Sequence, residues 1–413
     1  MIPPYHDRLI RISLILFAIF SPVSIAGTHI SISLAVLLWI VVMLSKKRFS
    51  FRNTALNLPL LGLAAAALIS TVFSVDVKFS LKGLKSASLI IVYFVVVNNL
   101  KSKSQVKTLI NTLIAFTSVS AAYGIFQHFT GIDFLGYNDS LNKLLPRATG
   151  FYDIPMTFSE YISMISMIIL SLLLFFRKKN APFILALILV ISGLYFSFTR
   201  GAWMGTLSGF LLLLFLRNKK LFFAGLITAA AIGSAALLLF PGSTISRRIY
   251  TLTERKDNPV IKRMFIWECS LNMVRDFPLT GVGWECFRKA YPRYTNYSGP
   301  YRGWKWRQFI TKTYTHAHNN FLNIAAETGI IGMGAFLWII IVIFAEFLVS
   351  YRNLTDDYLK SLHGGIFASL VVFLVTGLTE YTFGDSEVAM LFYFLAGIFF
   401  IIPVLDKKKE DLP

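Results

Sequence analysis

The sequence predicts an all-α polytopic membrane protein of about twelve transmembrane helices, with one large, partly helical loop between the ninth and tenth spans. Three observations carry that prediction. Hydrophobic residues make up 55% of the 413 and charged residues 15%, with a mean hydropathy of +0.64, whereas soluble domains carry about 25% charged residues. Apolar runs close to the roughly 20 residues that cross a ~30 Å hydrocarbon core recur along the whole chain. The gaps between them are short, except for one polar interruption of 88 residues, 241–328.

The spans fall at about 10–27, 28–45, 55–73, 86–100, 107–126, 157–176, 181–198, 201–216, 221–240, 329–349, 362–383 and 387–405. The first run, Leu9–Ala26 behind Arg8 and Arg11, has the look of a secretory leader. Eleven spans follow it, so it reads as an uncleaved first span. Residues 1–240 then hold spans one to nine, 241–328 the loop that carries the chemistry, and 329–413 the last three spans and a tail. No internal repeat is visible, and no soluble domain is expected at either end.

Orientation follows the positive residues of the short loops. One side carries Arg8, Arg11, Lys46, Lys47, Arg48, Arg52, Lys101, Lys103, Lys107, Arg177, Lys178, Lys179, Arg217, Lys219, Lys220, Arg352, Lys360 and Lys407 to Lys409, which is 20. The other side's short loops carry six: Lys78, Lys82, Lys85, Lys143, Arg147 and Arg200. Both termini are therefore expected in the cytoplasm and the long loop outside it. That loop holds 14 basic residues against six acids, Glu254, Asp257, Glu268, Asp276, Glu285 and Glu327. Such a balance suits either a solvated basic face or an anionic ligand at the outer membrane surface; nothing in it points to nucleic acid. The two cysteines, Cys269 and Cys286, both fall in the loop. An oxidising compartment permits a disulfide between them, and two buried free thiols are the alternative.

Four segments on the exported side hold groups suited to phosphate or to activating a hydroxyl. They are Lys78, Lys82 and Lys85; Arg147 to Phe151; Thr199-Arg200-Gly201; and, in the long loop, Arg263 to Trp267, Pro278 to Gly283 and His316 to Asn320. An arginine at the membrane boundary such as Arg200 is expensive without a partner, and its planar fork fits two phosphate oxygens. It also fits an interfacial anchor beside Trp203. Thr315 is a plausible N-cap for a helix over 316–328 ended by Gly329, which would line up His316, Asn320, Asn323 and Glu327 on one face. Histidine accepts a proton near neutrality. A metal at His316-x-His318 is disfavoured, because alternate helical residues diverge; Asp385-Ser386-Glu387 reads more readily as a polar turn than as a divalent-cation site. The aromatics Trp267, Trp284, Trp304, Trp306, Tyr291, Tyr294, Tyr297, Tyr301 and Tyr314 suit an interfacial belt or a platform for sugar rings.

Together, Arg147-x-x-Gly150 with Pro155, Thr199-Arg200-Gly201, Arg263-x-x-x-Trp267, Pro278-Leu279-x-Gly281-x-Gly283, His318-Asn319 and Glu327-x-Gly329 resemble the O-antigen ligase and polymerase family over about residues 60–335. The resemblance implies an inverting, metal-independent glycosyltransferase without cofactor, in the bacterial inner membrane with its active site facing the periplasm. It would move a glycan from undecaprenyl diphosphate to a hydroxyl of lipid A–core oligosaccharide. By position, Arg200 and Arg263 would grip the diphosphate and His318 would take the acceptor proton. Arg147, Lys82 and Lys85 are secondary diphosphate candidates, with His316, Asn319, Asn320, Glu327 and Trp267 in support. A polymerase or a protein-directed transferase shares these features. A lipid-linked oligosaccharide flippase is the reading from another class, disfavoured because span centres are nearly free of charge while Glu160, Glu346 and Glu380 lie nearer the ends.

Overall fold

A computed structural model describes residues 5–45, 51–136, 146–176, 181–239, 259–295 and 314–407. Lys143, Tyr297, Tyr301, Trp304 and Trp306 lie outside the described residues. The described residues are helical, with no strand among them. In chain order the helices are α1 (Tyr5–Phe20), α2 (Ile25–Ser45), α3 (Asn57–Val72), α4 (Val77–Ala87), α5 (Ile91–Asn99), α6 (Lys103–Thr130), α7 (Pro155–Phe175), α8 (Ala181–Phe196), α9 (Arg200–Arg217) and α10 (Lys219–Leu239). Then come α11 (Pro259–Asp276), α12 (Phe287–Tyr294), α13 (Asn320–Ser350), α14 (Asp357–Thr376) and α15 (Ser386–Lys407). Each expected span has a helix at its place. Among the described residues seven helical segments, α4 with α5 counted as one, are long and apolar enough to cross a membrane, and the apolar α3 and α8 are shorter.

Burial sorts these helices into inner and outer ones. The most apolar stretch of α15 is 89% buried and those of α7 and α14 are 78% buried, against 33% for α2 and α13. The outer helices leave large apolar side chains exposed, among them Ile30, Leu37, Ile341 and Leu348. In water such a surface would be a liability; against lipid it costs nothing. The inner helices approach closely because small residues line their seams. Gly365 of α14 sits against Ser171 and Ile168 of α7. Hydroxyls tie the same pair, with Ser369 donating to the Met164 carbonyl at 2.5 Å and Ser171 to that of Ser361 at 2.6 Å.

The long loop builds a small core of its own. Its helix α11 buries Phe265, Ile266, Cys269 and Met273, spaced as one helical face. Phe287, Ala290, Tyr291 and Tyr294 of α12 close over them, with Ala317 and Ala326. Tyr291 and Tyr294 therefore serve packing rather than a sugar platform. Trp284 is likewise pinned, its indole N–H donating to the Gly83 carbonyl and the Ser86 hydroxyl of α4.

One open alternative is decided and two expectations need correction. Cys269 and Cys286 are two separate buried thiols, not a disulfide; the Cys269 thiol faces the Tyr294 carbonyl at 3.6 Å, and Cys286 lies 3.1 Å from the Ser74 hydroxyl. Burial, with Glu268 beside it, pushes the Cys269 thiol up to about 12. The helix after the histidines starts at Asn320, not 316: Asn319 is its N-cap, its side chain accepting from the Leu322 amide at 3.0 Å. His316 and His318 thus lie in the loop before the helix. Nor does that helix stop at Gly329. It breaks there, at φ 62° and ψ −160°, and resumes to Ser350.

The break is held from outside. Pro278 to Gly283 runs alongside it, the Val282 and Gly283 amides donating to the Ala326 and Glu327 carbonyls at 2.9 and 3.0 Å. In return the Ile330 amide donates to the Pro278 carbonyl at 2.8 Å. Two glycines make the approach possible, since a Cβ on Gly281 would overlap Glu327 and Thr328, and one on Gly329 would overlap Leu279.

Candidate functional site

One carboxylate gathers the site, and it comes from the short segment between α14 and α15. Glu380 is 8% exposed. Its Oε1 accepts from the Nη2 of Arg263, and its Oε2 lies 3.2 Å from Nδ1 of His318. Burial alone would raise the Glu380 carboxyl, but the His318 hydrogen bond and the Arg263 charge hold it below the usual carboxylate range. A carboxylate on Nδ1 fixes the orientation of the imidazole and turns Nε2 outward.

The chain is laced to keep Glu380 there. The Asn320 amide N–H donates to the Gly377 carbonyl at 2.7 Å. Its side chain bonds the Thr382 hydroxyl and accepts from the Phe383 amide, both at 3.1 Å. Asn319 donates to the Leu378 carbonyl at 2.9 Å. From the long loop, the Trp267 indole donates to the Ala317 carbonyl at 3.0 Å, one residue from each histidine. Asn319, Asn320 and Trp267 are positioning groups in this arrangement.

His316 packs its ring 4.2 Å from that of His318, centre to centre, and its Nδ1 accepts from the His318 amide at 3.2 Å. Burial and the neighbouring His318 hold it down to about 4, so it is neutral at ordinary pH. His318 itself has φ 49°. Among the described residues the other non-glycines with positive φ are Phe198 and Glu285. A left-handed backbone costs a side-chain-bearing residue about 1–2 kcal/mol. All three strained residues flank sequence-predicted groups or the cavity beside His316.

The second arginine arrives through α9. Gly201 packs directly on Thr379, where a Cβ would overlap the threonine hydroxyl. Arg200 is thus carried to the segment that ends in Glu380. Arg147 stands behind it, its Nε donating to the Ser197 carbonyl at 2.7 Å and its Nη2 to the Thr199 hydroxyl at 3.0 Å. Those bonds hold the strained turn that presents Arg200. Lys82 and Lys85 are exposed on α4, which packs on the 283–286 segment through Trp284 and through Ser86, whose hydroxyl donates to Glu285 at 2.8 Å; no bond ties either lysine to His318 or Glu380. Glu327 is buried two residues before the break, accepting from the Phe287 amide at 3.1 Å, a bond that ties it to the long loop. Beside His316 opens a cavity of about 210 Å³ lined by Phe79, Glu285, Arg288, Tyr381 and Asp385.

Sequence reasoning gave Glu380 no role, reading it only as an acid near the end of the span at about 362–383. It also missed Glu285 and Arg288 as cavity residues. Among the described residues no cluster of three metal-ligating side chains is found.

Residues 185–337 match the O-Antigen ligase family. The matched stretch contains Arg200, Arg263 and His318, and ends before Glu380. A protein of Rickettsia bellii (strain RML369-C) named "Putative polysaccharide ligase" is 24% identical over 210 residues, 51% of this chain and 48% of that one. A second so named, from Rickettsia typhi (strain ATCC VR-144 / Wilmington), is 25% identical over 247 residues, 58% of this chain and 56% of its own. The chain spans about half the length of the curated relatives it matches.

Proposed function

We propose that this protein is an inverting glycosyltransferase of the O-antigen ligase type. It would act at the periplasmic face of the bacterial inner membrane, with both termini in the cytoplasm and twelve helices crossing the bilayer. The donor is a glycan on undecaprenyl diphosphate and the acceptor a hydroxyl of lipid A–core oligosaccharide. The observation that carries this reading is the Glu380 carboxylate between Arg263 and His318, with the start of α9 packed on the preceding residue.

The chemistry follows from the groups. His318 Nε2 takes the proton of the acceptor hydroxyl, and Glu380 on Nδ1 stabilises the imidazolium that forms. The acceptor oxygen bonds to the anomeric carbon from the face opposite the diphosphate. The bond from that carbon to the phosphate oxygen breaks, and the diphosphate leaves with its electron pair. Arg263 and Arg200 neutralise the charge that grows on it. A guanidinium has five N–H donors, and Glu380 engages Arg263 through one nitrogen, so the same group can serve a phosphate oxygen. Inversion at the anomeric carbon follows from the single displacement.

Purified protein in detergent, given the lipid-linked donor, tests the reading with three acceptors in turn. Transfer to lipid A–core is expected. Transfer only to a second lipid-linked glycan or only to a serine- or threonine-bearing polypeptide would replace the ligase by a polymerase or a protein-directed enzyme. No transfer to any of them, with donor movement across reconstituted vesicles instead, would make the protein a transporter.

A further inference from the structure

The cavity beside His316 has a composition the diphosphate grip does not explain. Its walls bring together the carboxyls of Glu285 and Asp385, the guanidinium of Arg288, the imidazole of His316 and the rings of Phe79 and Tyr381. Arg263, Arg200 and Arg147 do not line it. Two carboxyls would repel a diphosphate, and the mixed lining is too polar for a lipid tail. Its volume of about 210 Å³ lies below the roughly 300–1,000 Å³ of pockets for drug-sized ligands, and suits a single small ring.

The polar groups are fixed in place before any ligand arrives. Arg288 lies over the Phe79 ring, its guanidinium carbon 4.4 Å from the centroid. Asp385 accepts from the Thr157 hydroxyl at 2.7 Å, and Glu285 accepts from the Ser86 hydroxyl at 2.8 Å, each through one oxygen. Glu285 is held in a left-handed conformation, φ 60°, with its side chain against Gly83. Tyr381 places its ring 5.5 Å from that of His316. Burial pushes the Asp385 carboxyl up to about 7 against the pull of the Thr157 bond, and Glu387, Asp153 and Glu380 nearby add to the rise. This wall can thus donate as well as accept near neutrality.

A pyranose meets such a lining on every side. Its hydroxyls donate to carboxylates and accept from a guanidinium, and its C–H face stacks on an aromatic ring. We infer that this cavity is the subsite for the acceptor's sugar ring, with Glu285, Asp385 and Arg288 as specificity-determining residues that hold it while its reacting hydroxyl extends past His316 to His318. The assignment to the acceptor rests on the glycosyl-transfer reading above. In a single displacement the acceptor approaches from the side opposite the leaving diphosphate, and this cavity is a polar space beside His316, two residues from His318, that the donor-gripping arginines do not line.

Steady-state transfer by the purified full-length protein tests it, with the undecaprenyl-diphosphate glycan saturating and lipid A–core varied, then the reverse. Glu285→Gln, Asp385→Asn and Arg288→Gln should each raise the acceptor KM by about tenfold or more, the loss expected when a charged hydrogen-bond partner goes. Donor KM and kcat should change by no more than about two- to threefold. Arg288 is exposed, so Arg288→Gln does not threaten folding. Unchanged acceptor KM in all three variants, with the wild type active, would overturn the assignment alone. So would an equal rise in donor KM, or a serine-bearing peptide serving as a saturable acceptor in place of the glycolipid. Absence of wild-type transfer to any acceptor would instead defeat the transferase reading and this subsite with it.

Discussion

Replacing Glu380 by glutamine removes one negative charge from between Arg263 and His318 and changes side-chain volume little. The amide can still touch both neighbours, so geometry is nearly conserved and the effect isolates charge. Two losses follow. The His318 imidazolium that forms during transfer loses its counter-charge across the 3.2 Å contact; a charge-assisted hydrogen bond is worth about 1.5–3 kcal/mol. At about 1.36 kcal/mol per tenfold, the upper end corresponds to a fall in kcat of about a hundredfold. That lies within the roughly 10²–10⁴-fold a positioned base supplies. Arg263 also loses its counter-ion, but its side chain is 28% exposed. Water offsets most of that cost, and the stability loss should be on the order of 1 kcal/mol, between surface and buried pairs. Single-turnover transfer by purified Glu380→Gln, with a thermal melt beside it, measures both. A hundredfold slower chemical step in a protein that melts nearly as the wild type is expected. A kcat within threefold of wild type would refute the idea that Glu380 orients and charges the base.

Three further outcomes follow from the same structure. Gly329→Ala puts a Cβ into Leu279 at φ 62°, so the clash adds to the left-handed cost of about 1–2 kcal/mol; a melting temperature equal to wild type would remove the interlock from the account. Protein denatured without reductant should take up two alkylating groups by mass, one at Cys269 and one at Cys286, and uptake of none would restore the disulfide. Asp385, with its carboxyl raised to about 7, contributes stability that is present at low pH and lost as pH rises through about 7. Asp385→Asn should therefore gain stability relative to wild type at pH 8 compared with pH 5. His316, held down to about 4, works in the opposite sense, losing stability as pH falls from about 6.5 towards 4. An Asp385→Asn difference larger at pH 5 would contradict the burial of that carboxyl.

The helices were legible because a bilayer imposes a length on apolar runs and leaves no choice of secondary structure. Arg147, Arg200, Arg263 and His318 stood out in the sequence because charged groups at such boundaries need partners, and the fold brings two of them, Arg263 and His318, to one carboxylate. Glu380 did not, since nothing local marks it: its two partners come from residues 117 and 62 positions away. The helix start was misplaced because Thr315 and Asn319 both carry capping side chains. Tertiary bonds from Asn320 to the 377–383 segment decide between them. The pairing of Gly281 with Gly329 depends on two backbones crossing, which neither stretch announces alone. The sequence left a disulfide and two free thiols both open, and the fold decides by setting Cys269 against the Tyr294 carbonyl and Cys286 against the Ser74 hydroxyl.

The most direct measurement is transfer by purified His318→Ala protein, with donor binding followed separately. The account predicts transfer slowed by about 10²–10⁴-fold, with the undecaprenyl-diphosphate glycan still bound at near wild-type affinity because the arginines remain. Full transfer by this variant would contradict it and return the Glu380 cluster to a structural tie between α13, α11 and the 377–385 segment.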